Sequence, residues 1–175
     1  YPADGSVVNA GSVTSGAFAT PGSSATASAS AQVSTISIFG GDVTVSSVTA
    51  TSKASANSRA SSADSQGSLV SGLVVQGQGV TPGVGTQFPI GDWGYVVTLQ
   101  EGKASLDAED ARGARAFVTA LQVRLTADHY GLPAGTEVMI GYAEASAKVD
   151  IAAKPERKRK PPVKAQPKKP AKKPV

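Results

Sequence analysis

Cysteine is absent from the 175-residue chain, so neither a disulfide framework nor a thiolate metal site can form. Stability in an oxidising compartment would therefore rest on the core alone. No run of about eighteen apolar residues occurs, which excludes a membrane-spanning helix within this sequence. Histidine occurs once, at His129. No Gly-x-Ser-x-Gly elbow accompanies it, and neither a phosphate loop nor an EF-hand spacing is present. The Asp107, Glu109 and Asp110 group accordingly reads as a solvated acidic loop, and His129 as a surface loop histidine. No catalytic residue, metal ligand or cofactor is predicted, and the chain reads as a non-enzyme.

Charge is plentiful but unevenly placed. From Lys154 to the end there are ten Lys/Arg and one acid, a net of +9. Residues 1–153 hold seven bases and twelve acids, a net of −5. The overall +4 thus describes a basic tail on a mildly acidic body. The tail is rich in proline and poor in apolar surface, so residues 151–175 are expected to be disordered and extended. Its predicted electrostatic contacts are Lys154, Arg157, Lys158, Arg159, Lys160, Lys164, Lys168, Lys169, Lys172 and Lys173. On an envelope protein they would hold an anionic cell-wall polymer or another envelope component. In a cytoplasmic protein the same charges would meet nucleic acid nonspecifically, although interleaved aromatics for base stacking are lacking. The first residue is Tyr1, which fits a chain matured by signal removal or an excised segment.

The body reads as β throughout. Residues 1–24 carry scattered Gly, Pro and Ser and predict a loop-rich segment with one short edge strand near Ala17–Ala19. Residues 25–150 form the expected all-β domain. Ala25, Ala27, Ala29, Ala31 and Val33 alternate with polar residues, as do Val48, Ala50, Ser52, Ala54 and Ala56. Gly40-Gly41 lies between these runs and supplies the positive φ angles of a tight hairpin turn. Folding there pairs Ile38 with Val43, Ile36 with Val45, Val33 with Val48 and Ala31 with Ala50. The alternation slips at Ser34-Thr35 and again at Ser46-Ser47, at one shared rung. Such a slip exchanges the two faces, so the hairpin should bend from one sheet into another at a corner. The Ala/Ser faces near its base imply either close sheet-to-sheet approach or a surface for a neighbouring subunit.

Further on, residues 57–67 read as a solvated loop and Leu69–Val75 as one strand, followed by a turn at Gly77 and Gly79. Tyr95–Leu99 reads as a short strand, and Lys103–Arg115 as a charged loop with room for one helical turn. Phe117, Thr119, Leu121, Val123 and Leu125 alternate, and Val138, Ile140 and Tyr142 continue the pattern on an antiparallel partner. The expected fold is an antiparallel β-sandwich or barrel-like domain with a long bent hairpin and a disordered tail. Trp93, Tyr95, Tyr130 and Tyr142 are candidates for a sugar- or partner-stacking surface, with Trp93 and Tyr130 put forward as the ligand surface, while Trp93 and Tyr142 are read in the first place as caps on the core.

Five blocks resemble the choice-of-anchor P family of actinobacterial secreted and cell-surface β proteins. They are VSTISIFGGDVTVSSVTATS (33–52), LVVQGQGV (73–80), WGYVVTL (93–99), VTALQVRL (118–125) and VMIGYA (138–143), and the likeness covers roughly residues 25–147. The resemblance implies export, display at the cell envelope and no catalytic residue. The expected function is a surface-displayed or self-assembling structural domain, a homo-oligomer or filament, tethered by its tail. The alternatives are a carbohydrate- or ligand-binding sandwich module and a nucleic-acid-associated protein.

Overall fold

The computed structural model describes residues 2, 3 and 5–151. They form an all-β fold of two antiparallel sheets, one of which curls into a half-barrel. The first sheet holds β1 (Val8–Asn9), β2 (Val13–Thr20), β3 (Ser24–Ile38), β4 (Val43–Asn57), β5 (Ser61–Asp64), β6 (Leu69–Ser71), β7 (Val74–Val75) and β8 (Gln78–Gly79). The second is β9 (Thr86–Ile90), β10 (Gly94–Ser105), β11 (Ala111–Leu125) and β12 (Glu137–Asp150), in the order β12-β11-β10-β9. No α-helix occurs among the described residues.

The β3–β4 hairpin has the register expected from its turn. Ile38 pairs with Val43, Ile36 with Val45, Val33 with Val48 and Ala31 with Ala50, and the ladder continues to Ser24 and Asn57. At the tip Gly40 and Gly41 take φ of 64° and 108°, conformations that a side chain disfavours. The Asp42 amide closes the turn onto the Phe39 carbonyl at 3.2 Å.

The expected corner is absent, and the hairpin stays in one sheet. Thr35 sits at φ 52°, and the pairing passes from Ser34↔Ser47 to Ile36↔Val45 without a rung at Thr35. This left-handed residue reverses the side-chain parity that the slip would otherwise exchange. Val33 and Ile36, and likewise Val45 and Val48, therefore all enter one core. The second sheet repeats the device. Leu99 at φ 49°, Ala120 and Gly141 at φ 71° lie opposite one another where rungs are missing between β10, β11 and β12. Each sheet is thus creased once across its long strands, and both halves of those strands face the same interior.

The second crease corrects the reading of β11 and β12. Val118 and Ala116 point inward below it, while Leu121, Val123 and Leu125 do so above it. Phe117 and Tyr142 consequently face outward, their rings 6.4 Å apart, and Tyr142 is 49% exposed rather than a cap on the core. Four further segments differ from expectation. The edge strand expected near Ala17–Ala19 is present but longer, spanning all of β2, and residues 57–67 contain β5. Gly72 at φ 63° divides the predicted single strand into β6 and β7. The predicted loop at Lys103–Arg115 is mostly strand: Lys103 lies in β10, Arg112 and Arg115 lie in β11, and only residues 106–110 connect them.

Two apolar clusters fill the interior. The larger holds the branched and aromatic side chains, from Phe39, Ile38 and Val43 to Leu121 and Leu125. The smaller, at the hairpin base, is Ala25, Ala54, Ala56, Ala145, Ala147 and Val149. Alanine faces on both sheets let β12 lie close against β3 and β4, so close sheet approach is the outcome for the small-residue face. There Ser52, fully buried, donates its hydroxyl to the Ala116 carbonyl at 2.7 Å and ties the sheets together.

Candidate functional site

Trp93 and Tyr130, singled out from the sequence, meet at the hairpin-tip end of the sandwich. His129 and Leu132 exchange backbone hydrogen bonds of 2.9 Å in a tight turn, with Tyr130 and Gly131 at positive φ between them. The Thr126 amide donates to the Trp93 carbonyl at 2.8 Å and holds this loop against the β9–β10 turn. His129 is thereby laid flat on Trp93, ring centroids 3.6 Å apart. The buried ring of Phe39 meets Trp93, His129 and Tyr130 at 5.3, 5.3 and 5.6 Å. His129 is therefore a clasp within an aromatic cluster, its side chain 22% exposed, rather than a solvated loop residue. Its Nε2 lies 3.5 Å from the Asp42 carboxylate, within ion-pair range but misaligned for a hydrogen bond. Stacking occupies one face of Trp93, which leaves Tyr130, 46% exposed, as the open ring of the cluster.

The acidic loop is used internally. Asp107 accepts hydrogen bonds from the Gly113 amide at 2.9 Å and the Ser61 hydroxyl at 3.0 Å, which together hold its carboxyl below the usual range. On the outer face of the second sheet, Arg115 grips Glu144 with two nitrogens at 2.8 and 2.9 Å, and the Tyr142 hydroxyl donates to the same carboxylate. Arg115 first and Tyr142 second hold the Glu144 carboxyl below its ordinary value. The hydrogen bond to Glu144 in turn raises the Tyr142 phenol. A lowered carboxyl contributes stability above its unfolded value and loses it as pH falls through the folded one. Denaturant unfolding should therefore show a small deficit for Arg115→Met near neutral pH that closes as pH falls below the ordinary glutamate range. A deficit that persists in acid would assign the effect to packing of the arginine stem.

Sheet edges are the remaining feature with chemical consequence. An edge strand offers unpaired N–H and C=O groups, and proteins usually blunt it with charge, proline or brevity. β9 carries Pro89, and β12 carries Glu137, Glu144, Lys148 and Asp150. β1 and β8 are two residues each. β2 has none of these devices: its eight residues, VTSGAFAT, hold no charge and no proline, and all are exposed. It also overhangs. Val13, Ala17 and Ala19 share the core-side face with Val33, Ala29 and Ala27, yet β12 lies under β3 and β4 and leaves them open. A signal for this edge lies in the sequence, since residues 5–41 contain no charged side chain. The ten tail cations lie outside the described residues. No family model, curated protein or solved structure matches the chain.

Proposed function

We propose that the chain is a non-enzymatic structural β domain that self-associates through β2 and is displayed at the cell envelope, secured there by its cationic tail. The observation that carries the reading is the long, uncharged, fully exposed edge of β2, beside other edges that are short, charged or interrupted by proline. Two copies related by a twofold axis can pair β2 with β2 antiparallel, which satisfies the free backbone groups of both and continues the sheet. Pairing would also flank the overhanging Val13, Ala17 and Ala19. Export and wall attachment draw on the strand blocks that resemble choice-of-anchor P proteins and on the +9 tail, whose attraction reads charge and not sequence. A ligand module centred on Trp93 has less support, because His129 covers that ring.

Light scattering coupled to size exclusion tests the assembly. The full chain should run above monomer mass and dissociate on dilution, whereas Ala17→Lys, with one charge at mid-edge, should run as a folded monomer at the same concentration. A wild-type chain that stays monomeric at the highest soluble concentration would sink the proposal.

A further inference from the structure

The outer face of β2, β3 and β4 carries a feature that self-association does not use. Strand alternation turns Thr26, Ser28, Ser30 and Gln32 of β3 outward. Beside them on β4 stand Ser55, Lys53, Thr51 and Thr49, and on β2 Thr20, Phe18, Gly16 and Thr14. Three shallow depressions of about 390, 390 and 320 Å³ lie on this face. The first two share Phe18, Ser28 and Lys53, and the last two share Gly16 and Ser30, so they form one trough along the strands. From Thr26 to Gln32 it runs roughly 20 Å at ~3.4 Å per residue. Gly16 keeps the middle open, since a Cβ there would stand 3.7 Å from the Ser30 hydroxyl.

We propose that this trough binds an extended neutral polysaccharide. Its outward rows carry hydroxyls and an amide above alanines such as Ala27 and Ala54; each of these polar groups can donate and accept, which is the hydrogen-bonding character of a sugar hydroxyl. Phe18, 66% exposed, places one apolar ring in the trough, against which the C–H face of a sugar ring can lie. Charge selects the class of polymer. The charged residues in the trough are Lys53 and Asp64, directly opposite each other on β4 and β5, and their charges cancel. An acidic or basic polymer would find no net attraction there, while a neutral chain would desolvate neither charge against its own. The length suits an oligosaccharide stretch rather than a single sugar. This site is separate from the β2 edge, because its rows on β3 and β4 face away from the core and not toward a partner strand.

The test is binding of the full chain to arrayed neutral polysaccharides (mannan, arabinan, galactan and glucan) and acidic ones, at low and physiological salt, followed by calorimetry on an oligomer of the retained glycan. At least one neutral glycan should be retained at both salt levels. Ser30→Arg, which fills the middle of the trough from β3, and Phe18→Ala should each weaken it by about tenfold or more. Gln87→Arg, on the other sheet, should not. Because Phe18 also lies in β2, an unchanged assembly mass for Ser30→Arg separates loss of the trough from loss of self-association. Retention of acidic glycans alone, abolished by salt, would assign binding to the tail and overturn the proposal. So would a neutral glycan that Ser30→Arg still binds at full strength, or no neutral binding at all.

Discussion

Replacing Phe39 by alanine should cost the domain about 3–5 kcal/mol, the range for removing a buried aromatic ring. The ring is 1% exposed and sits among Trp93, His129 and Tyr130, so its loss opens a cavity where the hairpin tip, the β9–β10 turn and the β11–β12 loop converge. The site has little freedom to collapse. Phe39 is held at φ 53° next to Gly40, and a Cβ on Gly40 would fall 2.5 Å from the Tyr130 hydroxyl, so tip and loop are fitted to each other. At this chain length the loss amounts to roughly 2–4 °C of melting temperature per kcal/mol. Trp93 is the sole tryptophan and reports the change directly. Its emission in native Phe39→Ala should move toward that of a solvated indole, and the denaturation midpoint should fall. A stability change below about 1 kcal/mol would mean that the aromatic end is an ornament on a core complete without it.

What could be read from the sequence, and what could not, follows from how each element earns its pattern. The β3–β4 register was legible because Gly40-Gly41 fixes the turn and the twin slips at Ser34-Thr35 and Ser46-Ser47 coincide only in that alignment. What the slip does was not legible. Parity arguments assume ordinary strand conformation, and the left-handed Thr35 breaks that assumption without any glycine to announce it. The same reasoning misplaced Tyr142, whose alternation with Val138 and Ile140 is real in sequence and reversed in space by Gly141.

The edge strand near Ala17–Ala19 is there, but its full length, Val13–Thr20, was not legible, for a different reason. Hydrophobic alternation marks a strand only where one face is buried, and β2 buries neither. The lower half of β11 was hidden because alanines, Ala114 and Ala116, supply its core side while Arg112 and Arg115 dominate the composition, and the lower half of β10 buries none of its side chains. The aromatic end was visible only as isolated residues. Phe39, Asp42, Trp93 and His129 are far apart in the chain, and nothing short of the fold brings the histidine onto the tryptophan.

Gly141→Ala should be the most damaging single methyl addition in the second crease, with a loss of about 2–5 kcal/mol. Two effects combine there. A side chain at φ 71° carries left-handed strain of roughly 1–2 kcal/mol. The added Cβ would also stand 3.1 Å from Cγ2 of Val48 and 3.2 Å from Cβ of Ala120, both fully buried, where overpacking costs about 1–3 kcal/mol. Gly131 separates the terms. It has nearly the same conformation, φ 74°, but nothing within 4 Å of a built Cβ, so Gly131→Ala should show the strain alone. Denaturant unfolding of the two variants against the wild type measures the difference. Gly141→Ala should lose clearly more than Gly131→Ala, and the excess is the packing cost of the crease where β12 crosses β4. Equal losses would mean that the sheets yield freely at this point, and that the crease sets the path of the strands without clamping one sheet to the other.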